Sequence, residues 1–285
     1  MNYRHAFHAG NFADVLKHII LARCLVHLRE KPAPFRVIDT HAGLGFYDLK
    51  SKEAGRTGEC EGGIGRLLAV NPPSDVEKLL VPYREAIERV RAFHGESIYP
   101  GSPEIARGIL RGEDRLILVE KHPEDARRAK ENFAFDGRAK LLERDGYEAL
   151  NALVPPKEKR GLILIDPPYE ERDEFDNVVD AIRQAYRKFS TGVYVIWYPL
   201  KADLPVDAFY RAMVNLEIPK ILRIEQRVRG ERSGEGLAGS GLLVINPPWH
   251  LKDEMTLCLG FLNKILAAGE GHSARCDWLV PEKSG

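Results

Sequence analysis

The chain has 285 residues, 44% hydrophobic and 29% charged, which suits a soluble globular protein of one large or two smaller domains with a sizeable core. Basic and acidic residues number 42 each, so net charge does not argue for nucleic acid, and such a partner would have to be held by a local basic surface. The four scattered cysteines include no C-x-x-C pair, no apolar run approaches the roughly 20 residues that span a bilayer, and the start at Tyr3, Arg4 and His5 lacks a signal-peptide pattern, so a zinc site, a disulfide framework, a membrane span and secretion are all disfavoured and a reducing cytoplasm is expected.

Asn11 stands before Phe12, Val15, Leu16 and Ile19 at helical spacing, with Asp14 placed to return a capping contact; this predicts a helix that ends before Pro32. Phe35 to Asp39 then reads as a buried strand stopping at His41-Ala-Gly-Leu-Gly45, whose glycines permit close backbone approach to a ligand. The same grammar returns at Arg115 to Glu120, Ala139 to Glu143 before Asp145-Gly146, and Gly161 to Asp166, each a short apolar run closed by an acid. Helical periodicity over Pro123 to Phe133 and Phe175 to Phe189 makes these strands a parallel sheet with crossover helices, and ligands then belong at the strands' carboxyl ends.

Further strands follow at Gly192 to Tyr198, Lys220 to Glu225 and Gly241 to Ile245, the last two joined by a Gly- and Arg-rich hairpin connection. About seven strands with an antiparallel final pair predict an α/β, Rossmann-like S-adenosylmethionine-dependent methyltransferase fold in preference to a dinucleotide-binding domain. The strands ending at Asp39 and Glu120 lie much further apart than the roughly 30 residues of a βαβ unit. Within that gap Ser74 and Glu77 form a capping-box pattern ahead of the helical face Val76, Leu79, Leu80, Tyr83, Ile87 and Val90. The expected organisation is a methyltransferase domain of residues 1–49 and 99–285, with an N-terminal helical extension, and an inserted helical subdomain at 50–98.

Asp166-Pro167-Pro168-Tyr169 carries the chemistry. The lone pair of an adenine N6 is delocalised into its ring, so the amine is a poor nucleophile until acceptors on its N–H groups draw it toward tetrahedral geometry. Asp166 can supply one acceptor, and the Pro167 carbonyl, whose direction proline restricts, can supply the other. Tyr169 can stack on the base. Attack on a methyl is an in-line displacement, so positioning dominates, with a smaller possible role for Asp166 as proton acceptor. The rival copy Asn246-Pro247-Pro248-Trp249 ends the last hairpin strand, away from the central crevice, and reads as a rigid strand exit.

For the cofactor, Gly43 and Gly45 are a weak signal alone; Glu120 is where paired ribose hydroxyls need an acceptor and Asp145 where an adenine amine does, although either acid could instead cap a helix. Ser102 before Pro103 suits a helix N-cap. Across essentially the whole chain the sequence resembles the ribosomal RNA large-subunit adenine-N6 methyltransferase J family. The resemblance rests on Tyr3-Arg-His-x-Phe-His-Ala-Gly-Asn11, Asp14-Val-Leu-Lys-His18, Asp39-Thr-His-Ala-Gly43, Tyr99-Pro-Gly-Ser-Pro103, Gly161 to Tyr169 and Gly241 to Trp249. It implies cofactor contacts from His18, His41, Ser102, Glu120, Asp145, Gly146 and Asp166, catalysis at Asp166, RNA contact at Tyr3, and cytoplasmic action on protein-free ribosomal RNA.

Arg4, Lys17, Arg23 and Arg29 make the N-terminal stretch locally basic, which with Tyr3 and His5 suggests an RNA surface or simply a solvated helix face. Arg227 and Arg229, within Arg223 to Arg232, could grip phosphates. His5, His8, His18 and His41 lack a carboxylate or cysteine at ligand spacing, and transfer from a sulfonium needs no Lewis acid, so no metal is expected. The target base must be flipped or unpaired. A monomer is expected. DNA adenine methylation, protein glutamine methylation and an inactive RNA-binding module stay open as alternatives.

Overall fold

The computed structural model describes residues 4–230 and 236–282. Helix α1 (Phe12–Arg29) begins where the Asn11 side chain accepts the Asp14 N–H, while Asp14 Oδ2 accepts the Gly10 N–H at 2.9 Å. These contacts satisfy donors that a helix start leaves open. Because α1 is apolar around most of its circumference it is a core helix, with Val15, Leu16, Ile19 and Ile20 fully buried.

Strand β1 (Arg36–Asp39) is followed by the short β2 (Phe46–Asp48), α2 (Lys52–Thr57), α3 (Arg66–Leu68), α4 (Ser74–His94) and β3 (Ile98–Pro100). Strands β2 and β3 pair antiparallel, Tyr47 opposite Tyr99, and close the base of residues 50–98. The cap of α4 differs from expectation: its N-cap is Pro73, without a side-chain hydrogen bond, and the anticipated Ser74–Glu77 box does not form, Glu77 instead facing Arg84. The buried face of α4, including Val76, Leu80, Tyr83 and Ile87, joins one continuous core with α1.

After α5 (Ser102–Ile109) come β4 (Arg115–Glu120), α6 (Pro123–Asn132), β5 (Ala139–Glu143), α7 (Gly146–Leu153), β6 (Gly161–Ile165), α8 (Glu174–Lys188), β7 (Val193–Leu200), α9 (Val206–Val214), β8 (Ile221–Arg227), β9 (Gly239–Ile245), α10 (Leu251–Ile265) and β10 (Ser273–Val280). The main sheet runs β10-β8-β9-β7-β6-β1-β4-β5. Strands β5, β4, β1, β6 and β7 are parallel, and β9, β8 and β10 are antiparallel additions. The seven expected strands are present, and β10 extends the sheet by an eighth at its edge. None of its residues is fully buried and its exposure does not alternate, so it carries no clear period-2 signal in the sequence.

Alternating side chains serve opposite faces. Val37, Leu116, Leu118, Leu162 and Leu164 point into the α1 side, and Ile38, Ile117, Val119, Ile163 and Ile165 into the α7–α8 side. A sheet covered on both faces explains these nearly continuous apolar runs. The chain moves from β1 outward to β4 and β5, then returns to the other side of β1 for β6, so the crevice of the switch point opens at the carboxyl ends of β1, β4 and β6.

Candidate active site

That crevice is a cleft of about 590 Å³. The residues beyond β1 thread between its neighbours, Thr40 N–H donating to Leu164 O at 3.0 Å and Ala42 N–H to Val119 O at 2.9 Å. Gly43 then takes φ +60°, where an added Cβ would lie 2.2 Å from the Tyr47 hydroxyl. Its N–H donates to Glu120 Oε2 at 2.9 Å, and His122 N–H donates to Oε1 at 2.7 Å. Burial pushes the Glu120 carboxyl up despite these bonds.

Asp145 caps α7, its Oδ1 accepting the N–H groups of Tyr147 and Glu148, and Oδ2 pairs with Lys121 at 3.0 Å. Burial works against this carboxylate, but Lys121 and the amides outweigh it and hold its pKa low. Next to it Gly146 has no room for a side chain: a Cβ would meet Thr40 O at 2.3 Å and the His41 ring at 3.0 Å. His41 Nδ1 lies 2.8 Å from Thr40 Oγ1, and burial lowers its pKa to about 4. His18 Nδ1 meets the Tyr99 hydroxyl at 2.9 Å, which meets Tyr83 at 2.8 Å; burial lowers the His18 pKa to about 3, so both imidazoles are neutral.

Ser102 is not an N-cap. That position belongs to Gly101, whose N–H is bound by Gly45 O at 2.7 Å, and Ser102 Oγ donates to Asp39 Oδ2 at 2.6 Å. Burial raises the Asp39 pKa to about 7, with Asp166 adding to the effect and the Ser102 bond opposing it.

Asp166 follows β6 directly, and Pro167, Pro168 and Tyr169 line the cleft with it. Tyr169 adopts φ +51° and donates its hydroxyl to Trp197 O at 2.8 Å, while its ring lies 4.7 Å from Phe175 and 5.7 Å from Trp197. The segment is therefore anchored to β7 as well as β6.

One partner of Asp166 escapes sequence reading. Lys17 is only 5% exposed, and its ammonium sits 2.5 Å from Asp166 Oδ2 and 2.9 Å from Asp14 Oδ1. Burial disfavours that charge, yet the two carboxylates outweigh it and hold the lysine above its ordinary range. Asp14 also contacts His5 Nε2 at 2.9 Å. The reading of Lys17 as part of a basic surface is thus corrected, and so is that of Arg23, which Glu254 holds through two contacts. The only local signal for Lys17 was its i, i+3 spacing from Asp14.

His18, His41, Gly43, Ser102, Glu120, Asp145, Gly146, Asp166, Pro167, Tyr169 and His5 all line this one cleft. Arg4 does not: it pairs with Glu124 at 3.3 Å and Asp125 at 3.5 Å beside a neighbouring groove. Tyr3 and Arg232 lie outside the described residues. Arg223 is buried against Asp277, and Arg227 closes β8. Because β9 runs antiparallel, with Ile245 opposite Tyr194 at the start of β7, Asn246-Pro-Pro-Trp249 falls at the other edge of the sheet. There the Asn246 amide donates to Ser190 O and Gly192 O at 2.8 Å, as befits a rigid strand exit.

A family model described as RsmJ, ribosomal RNA large subunit methyltransferase D, RlmJ, matches residues 32–280. The chain is 41% identical over 284 residues to ribosomal RNA large subunit methyltransferase J of Haemophilus influenzae, covering 99% of this chain and 100% of that protein. To the protein of the same name from Escherichia coli (strain K12) it is 42% identical over 283 residues, with the same coverage. The crystal structure of protein LPL1258 from Legionella pneumophila str. Philadelphia 1 matches with a TM-score of 0.85 and 39% identity, covering 95% of this chain and 98% of that one. From the crevice chemistry and these likenesses together, the chain belongs to the RlmJ family of ribosomal RNA large subunit methyltransferases and has the fold of S-adenosylmethionine-dependent methyltransferases.

Proposed function

We propose that this chain methylates the exocyclic N6 amine of an adenine in large-subunit (23S) ribosomal RNA, the target base being flipped into the pocket bounded by Asp166, Pro167 and Tyr169. The observation that carries the reading is the meeting, in one cleft, of a strand-terminal Asp-Pro-Pro-Tyr with the glycine loop and the acids of β4 and α7.

The donor set suits S-adenosylmethionine. Glu120 supplies a carboxylate for vicinal hydroxyls, Asp145 an acceptor for an adenine amine, and Ser102 with the neutral His18 and His41 supplies polar groups for an amino-acid end. Gly43 and Gly146 keep the cleft floor clear where side chains would collide. When bound, this cosubstrate supplies a methyl group on an electron-poor sulfonium.

Toward the acceptor base, Lys17 takes Asp166 Oδ2 and leaves Oδ1 for an N6–H. The Pro167 carbonyl, held by the following proline, is the second acceptor, and two polarised N–H bonds return electron density to the nitrogen. Tyr169, its hydroxyl tied to β7, offers its ring face for stacking. A base must be flipped or already unpaired to reach this depth. The family resemblance adds protein-free ribosomal RNA as the substrate form and the cytoplasm as the place, and the enzyme is proposed to act as a monomer.

The test is methyl incorporation from labelled S-adenosylmethionine into deproteinised ribosomal RNA, DNA and protein, followed by nucleoside mass spectrometry. N6-methyladenosine in large-subunit RNA, absent with Asp166→Ala, is the expected result. Label confined to DNA or protein, or a different modified nucleoside, would overturn it.

A further inference from the structure

The end of the sheet remote from the cleft holds a second group of chemistry-bearing side chains. We propose that His27, Glu30 and His250 form a site for one zinc-like divalent cation, clamping the end of α1 to the start of α10. His27 stands in the last turn of α1 and Glu30 is its C-cap residue, three positions on, and the Asn246-Pro-Pro-Trp249 exit leads to His250 at the start of α10.

One ligand atom from each of the three residues lies within 4.8 Å of the others. His27 Nδ1 is 3.0 Å from Glu30 Oε2, and His250 Nε2 is 3.6 Å from Glu30 Oε1. Bonds of 2.0–2.1 Å to a tetrahedral zinc separate neighbouring donors by roughly 3.3 Å, and the two observed spacings, one to each oxygen of Glu30, lie close to that value. The pairing of His27 with Glu30 is poorly aligned for a hydrogen bond. His27 Nδ1 is buried and has no hydrogen-bond partner among the described residues, although a carboxylate oxygen lies 3.0 Å away. His27 Nδ1, close to a carboxylate oxygen without being aligned to it, is left able to face a third atom.

The surroundings agree. The other ring nitrogen of His250 lies 3.1 Å from Glu254 Oε1, close to it but without a formed hydrogen bond, and Arg23 holds that carboxylate through contacts of 2.9 and 2.5 Å. A ligating histidine ordinarily donates to a carboxylate behind it, and Glu254 stands within reach of that role. The last carbonyls of α1 favour a cation. Glu30 is half-exposed, so an ion can enter and water can complete the fourth position. Ten residues of α1, roughly 15 Å of rise, separate His27 from Lys17, so the site stands apart from methyl transfer.

Full-length protein stripped with a chelator is titrated with zinc chloride against a chromophoric competitor, with cobalt(II) absorption and thermal unfolding in parallel. The expected result is one equivalent of zinc, a Tm rise of roughly 5 °C at a hundredfold excess over Kd, and cobalt d–d bands without thiolate charge transfer. Binding is lost in His27→Ala and in His250→Gln, and weakened roughly tenfold or more in Glu254→Gln. Circular dichroism checks that each variant folds. The proposal falls if folded wild-type protein binds no zinc, if both histidine variants keep the equivalent, or if a thiolate band assigns the ion to cysteine. None of these results bears on the methyl-transfer reading.

Discussion

Lys17 in α1 and Asp166 after β6, 149 residues apart in the chain, meet at 2.5 Å with Lys17 buried between Asp166 and Asp14. Removing one member of such a group strands charge in the interior. Lys17→Met is expected to destabilise the fold by about 3–5 kcal/mol in urea unfolding. The double variant Lys17→Met with Asp166→Asn should recover part of that loss, and strict additivity would refute the coupling.

Asp166→Ala is expected to lower methyl transfer by roughly 10²-fold or more, since it deletes an acceptor matched to charge developing on the amine. Calorimetry should find S-adenosylmethionine binding largely kept. Near-wild-type turnover would end the role assigned to this carboxylate.

Gly146→Ala places a methyl 2.3 Å from the Thr40 carbonyl and 3.0 Å from the His41 ring. Backbone on one side and a buried ring on the other leave little give, so stability should fall by about 1–3 kcal/mol. Cofactor affinity should fall with it, because the shifted loop carries Gly43. Unchanged affinity would remove Gly146 from the cofactor site.

Asn246→Ala separates the two proline motifs. It deletes hydrogen bonds to Ser190 O and Gly192 O and leaves alanine at φ +51°, which costs roughly 1–3 kcal/mol of stability. The turnover of folded protein should not change. A loss comparable to that of Asp166→Ala would mean that the second motif takes part in the reaction.

Asp39 gives a pH dependence of definite sign. Its pKa is raised from 3.8 to about 7 by burial, so between those values the folded state keeps a proton that the unfolded chain has released. Its contribution to stability is therefore present at low pH and lost as pH rises through about 7. In Asp39→Asn that fall disappears: wild type minus variant should be more favourable at roughly pH 5 than at roughly pH 8. A difference that does not vary with pH would contradict this.

Strands β1, β4, β5 and β6 are legible in the sequence because each is a short apolar run closed by an acid, and Asp166 announces itself by following one of them. What local pattern does not carry is pairing across the chain. Lys17 looks like one more solvated base until β6 supplies its partner, and Ser102 looks like a cap until the β2–β3 pairing swings it toward Asp39. The eighth strand hid for a different reason: an edge strand open to solvent on much of its surface needs few apolar residues.

The helix α1 is made first and completed last. It packs on β6, β7 and β9, and Lys17 has only Asp14 as counterion until a further 149 residues have been added. The flank of β7 stays open until β9 closes it, more than 70 residues after β6 is complete. A nascent chain therefore carries the N-terminal wall of its own pocket without its β6 and β7 partners until late in synthesis, so the cleft is complete only when the chain has nearly left the ribosome that made it.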